Sequence, residues 1–328
     1  MRQKGGGVLQ REKETIVLGQ EKGQIEKETN GKRGKLSLQV HYWLMVLPGF
    51  VWIFLFSVVP MVGIIMAFED FSPSRGWFGS EWVGLENFEY LWRLSDARRV
   101  LKNTLIIAGG KLFLNLVIPI VFAILLNEVV NLRFKKVVQT IVYLPHFISW
   151  VILANIMSNI FGYQGVVNAV LGMFGTELVV FMGEPDIFRQ LLIGTDVWKE
   201  FGYGAVIYLA ALTSIDPNLY EAASIDGAGR WKLIRYITLP SLIPTVVLMG
   251  TLSLGSILNG GFDQVFNMYN ASVYSTADII DTWVYRIGLV NVQYSLASCA
   301  GLLKSVVSLV LISVSYLLAH KFADYRIF

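Results

Sequence analysis

Charge is scarce in this sequence. Only 16% of its 328 residues are charged and 54% are hydrophobic, whereas soluble domains carry roughly a quarter charged residues. Mean hydropathy is +0.55. The shortfall excludes an ordinary soluble domain and, with apolar runs of about 20 residues, indicates a polytopic membrane protein. Cysteine is nearly absent. Cys299 stands alone in an apolar run, so there is no internal disulfide and no information on redox compartment. His41, His146 and His320 lie far apart and no HExxH pair exists, which argues against a metal site or an intramembrane metalloprotease. The phosphate-cradling pattern GxxxxGK[ST] is missing too. Gly31-Lys32, Gly34-Lys35 and Gly110-Lys111 each lack the upstream Gly and the following Ser or Thr, and no LSGGQ-like segment occurs. A net charge of +3 is too small to suggest nucleic acid.

What is present is a series of apolar segments. Six transmembrane helices are expected, at about Tyr42–Phe68, Leu101–Leu126, Val137–Ile160, Phe188–Leu212, Ser241–Leu258 and Tyr294–Ala319. The fourth is the least apolar. Residues 1–40 are polar and alternate Lys with Glu, which reads as a disordered cytoplasmic tail rather than a cleavable signal. The expected architecture is therefore all-α, with a six-helix membrane domain over 41–328.

Lys and Arg set the orientation. Nine lie in residues 1–40, three in 127–136, three in 213–242, and two (Lys321, Arg326) after the last span. The alternate segments hold four in 69–100, plus Arg189 and Arg286 near the other two. The positive-inside bias places both termini and the 213–242 loop in the cytoplasm of a cytoplasmic membrane. The outside loops are rich in aromatics, among them Trp77, Trp82, Trp92 and Trp283, as an interfacial belt requires.

One cytoplasmic loop is unusually specific. Residues 221–240 read EAASIDGAGRWKLIRYITLP. Asp216-Pro217 is a helix-start signal, a short helix follows to Ile225, and Gly227 and Gly229 permit a tight turn with positive φ. A second short helix is expected over Arg230–Ile237, ended by Leu239-Pro240. Glu-Ala-Ala, a Gly six residues after the Glu, and Ile-x-Leu-Pro resemble the EAA motif of ABC importer permeases at every defining position. The resemblance implies a type I importer permease fold. It implies that 216–240 is a coupling hairpin seated in a cleft of a separate ATPase dimer. By that resemblance Glu221 makes the polar contact, Ala222 and Ala223 allow close approach, Gly227 forms the turn, and Asp226, Leu239 and Pro240 belong to the same ATPase-coupling set. ATP and Mg would be bound on the partner chain, so this chain is expected to bind no cofactor and to catalyse no reaction.

Further stretches resemble the LplB-like branch of that family, which handles oligosaccharides and polysaccharide fragments and includes alginate permeases. They are Val58–Pro73, Glu81–Phe88, Lys102–Leu105, Tyr143–Val151 (YLPHFISWV) and Asp278–Leu289 (DIIDTWVYRIGL). The resemblance implies a carbohydrate importer with a second, similar permease subunit and an extracytoplasmic solute-binding protein.

The fourth span carries Asp196, Lys199, Glu200 and Tyr203 at i, i+3, i+4 and i+7, on one helix face. Each central charge costs about 2.5–3.5 kcal/mol on the insertion scale, so the face must meet a wet cavity or another helix. Two readings stand. The stripe lines a translocation pathway with Tyr203 stacking on a sugar, or an Asp196–Lys199 pair and a structural Glu200 hold the bundle together. Asn259, Gly260, Gly261 and Asp263 follow the fifth span, where glycines would free backbone groups for a polar solute. Lys111 with Asn115, and Asn155 with Asn159, read as interhelical glue, and Pro145 with His146 as a bend. A secondary transporter coupling ions through Asp196, Lys199 and Glu200 is the main rival.

Overall fold

The computed structural model describes residues 40–255 and 257–323; the 1–39 part of the expected tail lies outside them. The chain divides after Gly63 into two units. The first long helix, α1 (Val40–Phe68), is apolar almost throughout and its side chains are largely exposed. The second unit begins at Ile64. A two-stranded antiparallel hairpin, β1 (Glu69–Asp70) with β2 (Glu81–Trp82), follows α1 and is the small exception to an all-helical architecture among the described residues.

Then come α2 (Glu86–Arg93), the long α3 (Ser95–Asn127), α4 (Leu132–Tyr143), α5 (Trp150–Phe161), α6 (Val166–Met173) and the long α7 (Pro185–Thr213). They are followed by α8 (Pro217–Ile225), α9 (Arg230–Gly255), α10 (Phe262–Met268), α11 (Ile280–Tyr285) and α12 (Tyr294–Ala323). Among the described residues five segments are long and apolar enough to cross a membrane: Val40–Phe68, Ser95–Asn127, Trp150–Met173, Arg230–Gly255 and Tyr294–Leu317. The sixth long helix, α7, fails on composition alone, because every 18-residue stretch of it contains Asp196, Lys199 and Glu200.

Two expectations change here. The third span is not one run from Val137 to Ile160. Pro145 lacks an N–H and disfavours helix at the residue before it, so α4 gives way to a 3-10 turn over Leu144–Phe147. Ser149 then caps a new helix by accepting from the Ile152 N–H at 3.4 Å. The bend expected at Pro145-His146 is present, and it moves the apolar crossing segment to Trp150–Met173, itself interrupted between Phe161 and Val166.

Nor does Leu239-Pro240 end a helix. The chain stays helical from Arg230 to Gly255, through a π turn over Ile234–Thr238 in which the Leu239 N–H donates to the Ile234 carbonyl. The same device precedes Pro60, where a π turn over Phe54–Val58 lets Val59 donate to Phe54. Widening the turn ahead of a proline relieves the clash between its ring and the carbonyl four residues back, so the helix survives.

Side-chain packing fixes α7 at the centre. It runs along α3 and touches α4, α9 and α10. One buried cluster joins Ile107, Leu153, Phe188, Leu192, Val265 and Ile279 at one end of the bundle. Another joins Ala123, Leu126, Tyr208, Leu212 and Leu242 at the hairpin end. Gly202 lets α4 approach, since a Cβ there would lie 2.1 Å from the Val142 carbonyl oxygen.

Candidate functional site: buried polar clusters and an exposed hairpin

The charged stripe of α7 splits between two neighbours. Asp196 faces α3. Its Oδ1 is 3.2 Å from Lys111 Nζ, and its Oδ2 accepts from Asn115 Nδ2 at 3.0 Å. Lys111 also donates to the Gly260 carbonyl at 2.9 Å and to Gln264 Oε1. Gln264 in turn donates to Thr195 Oγ1 at 2.9 Å and to the Leu192 carbonyl at 2.7 Å. One lysine thus ties α3, α7 and α10 together, and each of its three protons has an acceptor.

Lys199, Glu200 and Tyr203 face the bend before α5. Lys199 Nζ donates to the His146 carbonyl and to Glu200 Oε1, both at 2.8 Å. His146 Nδ1 is 2.7 Å from Glu200 Oε2, and its ring stacks on Tyr203. Asp196 and Lys199 therefore do not pair with each other. The interhelical pairing is real, but its partners are Lys111 and His146. Both lysines are more buried than the carboxylates they serve, so the carboxylate oxygens and the half-exposed Tyr203 ring are the more accessible groups of these clusters.

A polar cavity of about 220 Å³ lies beside the first cluster, lined by Lys111, Asn115, Asp196, Ser253, Asn259 and Gly261 among others. Asn115 Oδ1 is buried there with no hydrogen-bond partner among the described residues. Asn259 is exposed at the rim. The carbonyl freed at Gly260 is not open to a solute, because Lys111 takes it. Gly261, at φ +87, turns the chain into α10. Asp263 sits exposed in the first turn of α10 and is not among the residues lining the cavity.

A second network holds the opposite end. Asn103 donates to the carbonyls of Ser275 and Asp278, and Thr104 Oγ1 accepts from the Ile280 N–H at 2.9 Å. The KNTL and DIIDTWVYRIGL segments singled out in the sequence thus touch each other. Arg189 bonds Asn103 and the Thr276 carbonyl, and Arg286 pairs with Asp278 over the Tyr274 ring. Burial opposes the Arg286 charge, but the bond and charge of Asp278 outweigh it and hold the guanidinium above its ordinary range. Burial, then the neighbouring Tyr274 and Asp278, pushes the Tyr269 hydroxyl up to about 12.

The hairpin is built as its sequence requires. Asp216 caps α8 by accepting from the Asn218 N–H at 2.9 Å, with Pro217 at the first helical position. Gly227 has φ +76, and the Ala228 N–H reaches back to the Ala223 carbonyl at 2.9 Å, closing α8 as a Schellman turn. Gly229 does not share that conformation; it is extended and begins α9. Glu221, Ala222 and Asp226 are exposed and Ala223 is half-buried, with Ile225 and Trp231 standing clear of the protein beside them. Leu239 and Pro240 lie within α9 on exposed surface. Tyr220 Oη and Thr238 Oγ1 are 3.0 Å apart and lock α8 to the base of α9.

Sequence reasoning missed Gln264 and the roles of Lys111 and His146 as the partners of Asp196 and Glu200. An i, i+4 pair such as Lys111 and Asn115 signals an inward polar face, but not which helix it meets.

These features define a multi-pass helical membrane protein that keeps its intramembrane charges on the inside of the bundle and displays one ordered polar hairpin. Residues 115–324 match the family model described as binding-protein-dependent transport system inner membrane component. The polygalacturonan/rhamnogalacturonan transport system permease protein YteP of Bacillus subtilis (strain 168) is 41% identical over 90% of this chain and 92% of its own. Protein LplB of the same strain is 39% identical over 87% and 90%. A crystal structure of a bacterial alginate ABC transporter, in complex with alginate pentasaccharide-bound periplasmic protein, contains a chain that is 36% identical. That chain superposes with TM-score 0.82, covering 89% of this chain and 98% of its own. The chain belongs to the family of binding-protein-dependent transport system inner membrane components, and its fold is that of ABC importer permeases.

Proposed function

We propose that this chain is the permease subunit of an ATP-driven importer of oligosaccharides or polysaccharide fragments. It pairs with a second, similar permease, a separate ATPase dimer that binds ATP and Mg, and an extracytoplasmic solute-binding protein. The observation that carries the reading is the 216–240 hairpin: a rigid, capped knob bearing Glu221-Ala222-Ala223 and the Gly227 turn, with Ile225 and Trp231 exposed beside them. Closure of the ATPase dimer moves the knob, and α9, continuous with it, carries the movement into the bundle. Both termini, the 1–40 tail and the hairpin face the cytoplasm.

The solute path follows the α7 face. Tyr203 offers a ring to a sugar face, and Asp196, Glu200 and Asn259 offer hydroxyl partners, with Lys199 holding Glu200 and Asp263 near the entrance. The carbohydrate class is supported by what the relatives are named for, polygalacturonan and rhamnogalacturonan and alginate. Ion coupling through the stripe is less well supported, because Asp196, Lys199 and Glu200 each already has a charged or hydrogen-bonding partner.

The test is uptake into vesicles containing the assembled importer. Uptake of an oligosaccharide should need ATP and the binding protein and should persist when ion gradients are collapsed. Uptake that survives without ATP and disappears with the gradient would replace this reading with a secondary transporter.

A further inference from the structure

An apolar cleft of about 170 Å³ opens between α2, the start of α3, α11 and α12. Trp92, Leu101, Trp283, Leu303 and Val307 line it, and Trp92 is 70% exposed. The walls are mostly apolar, with the two indole rings as their main polar-capable groups. Two cations stand at the rim, Arg98 and Lys304, and Lys304 is taken by Asp281.

Arg98 is free. Its neighbours Arg93 and Arg99 have Glu89 and Asp96 as partners, but the Arg98 side chain has none among the described residues. Lys102, one turn further along α3, is also exposed and also lacks a side-chain partner among them. Arg98, Leu101, Lys102 and Leu105 share one helix face. Two unpaired cations at this spacing repel. They also stand on the side that the positive-inside bias leaves poor in Lys and Arg.

Depth follows from the sequence. Lys111 points inward, so Lys102 is the last outward charge of α3 before Glu128, and α12 carries none between Lys304 and Lys321. On α3 the hydrocarbon boundary therefore lies near Lys102, with Arg98 one turn out at headgroup level. Val307 is about one turn past Lys304 on α12. Trp92 occupies the interface, where indole rings concentrate.

We propose that this cleft holds one anionic phospholipid, its phosphate between Arg98 and Lys102 and an acyl chain against Leu101, Leu303 and Val307. The anion relieves the repulsion between the cations, and the chain fills a groove that loosely packed bulk lipid would leave partly empty. The site is independent of the cargo and rests only on the orientation given above.

The test is native mass spectrometry of the full chain, with whatever subunits accompany it, extracted from vesicles of equal phosphatidylglycerol and phosphatidylcholine. The wild type should retain one phosphatidylglycerol in preference, and excess inorganic phosphate should not displace it. A Lys or Arg near an anionic surface is worth about 1 kcal/mol, or roughly five-fold. Arg98→Gln and Lys102→Gln should each lower the preference by about that factor and leave phosphatidylcholine retention unchanged. Leu303→Trp, which fills the cleft, should abolish retention; if it fails to assemble, the two charge variants decide. Equal retention of both lipids, unchanged preference in the charge variants, or a Leu303→Cys cross-link to a helix of another subunit would overturn the proposal.

Discussion

The imidazole of His146 lies flat on the ring of Tyr203, with centroids 4.0 Å apart and planes within 2°. The contact joins the proline bend before α5 to the middle of α7, and the same imidazole holds Glu200 at 2.7 Å. His146 therefore both orients Glu200 and covers one face of the Tyr203 ring proposed to meet the solute. Aromatic stacking is worth about 0.5–1.5 kcal/mol, and an interhelical hydrogen bond in a membrane about 0.6–2. His146→Ala should lower the stability of the purified protein by about 1–3 kcal/mol in chemical denaturation. Tyr203→Phe, which keeps the ring, should cost little, whereas Tyr203→Ala should weaken transport while assembly with the ATPase stays intact. Unchanged uptake kinetics in Tyr203→Ala would remove that ring from the solute path.

Lys111 is the most connected charge in the interior. Lys111→Met leaves Asp196 with Asn115 alone and strands the Gly260 carbonyl and the Gln264 amide oxygen. Breaking a buried ion pair by removing one partner costs about 3–5 kcal/mol. Adding Asp196→Asn to Lys111→Met should restore part of that loss, because no uncompensated charge then remains. A double-mutant cycle on denaturation midpoints checks the coupling, and additive losses would show that the two residues do not act as a pair.

Gly202 is a steric requirement rather than a flexible point. A methyl group there would lie 2.1 Å from a backbone oxygen, and backbone cannot rotate aside as a side chain can. Gly202→Ala should cost about 1–3 kcal/mol as α4 is pushed from α7. Because the His146 bend follows α4 directly, the change should also loosen the His146–Glu200 contact and slow transport. Wild-type melting and transport in this variant would mean that α4 has room to move.

Five apolar spans and the hairpin were legible in the sequence because both are written in local terms. An apolar run announces a membrane crossing, and Asp216-Pro217 with Gly227 announces a capped helix and its turn. The bend at Pro145 was legible for the same reason, although its effect on the boundaries of the third span was not. Pro240 misled, because whether a proline ends a helix or is absorbed by a π turn depends on how the surrounding chain is held. The i, i+3, i+4, i+7 stripe on α7 correctly marked an inward face. Its partners were not readable, since Lys111 lies 85 positions before Asp196 and His146 lies 54 before Glu200; only the fold brings them together. Gln264 gave no signal at all, as a lone amide beside glycines has no periodicity.

The 216–240 hairpin yields the most direct test of the proposed mechanism. The Tyr220 hydroxyl and Thr238 link α8 to α9 at 3.0 Å, so in that proposal a push on Glu221 and its neighbours reaches α9 through this hydrogen bond and the Gly227 turn. Tyr220→Phe removes that bond at a cost of about 1 kcal/mol, too little to unfold the protein but enough to let α8 yield under load. It should therefore leave ATPase binding unchanged and reduce solute-stimulated hydrolysis. Gly227→Pro is harsher, because proline cannot adopt φ +76. It should uncouple the hydrolysis entirely while the protein remains inserted. Glu221→Lys, on exposed surface, should instead weaken binding of the ATPase with no change in the fold. Stimulated turnover measured in vesicles separates the three: loss of binding for Glu221→Lys, binding without full stimulation for Tyr220→Phe, and binding without any for Gly227→Pro. Normal stimulated turnover in both Glu221→Lys and Gly227→Pro would show that the hairpin only joins two helices.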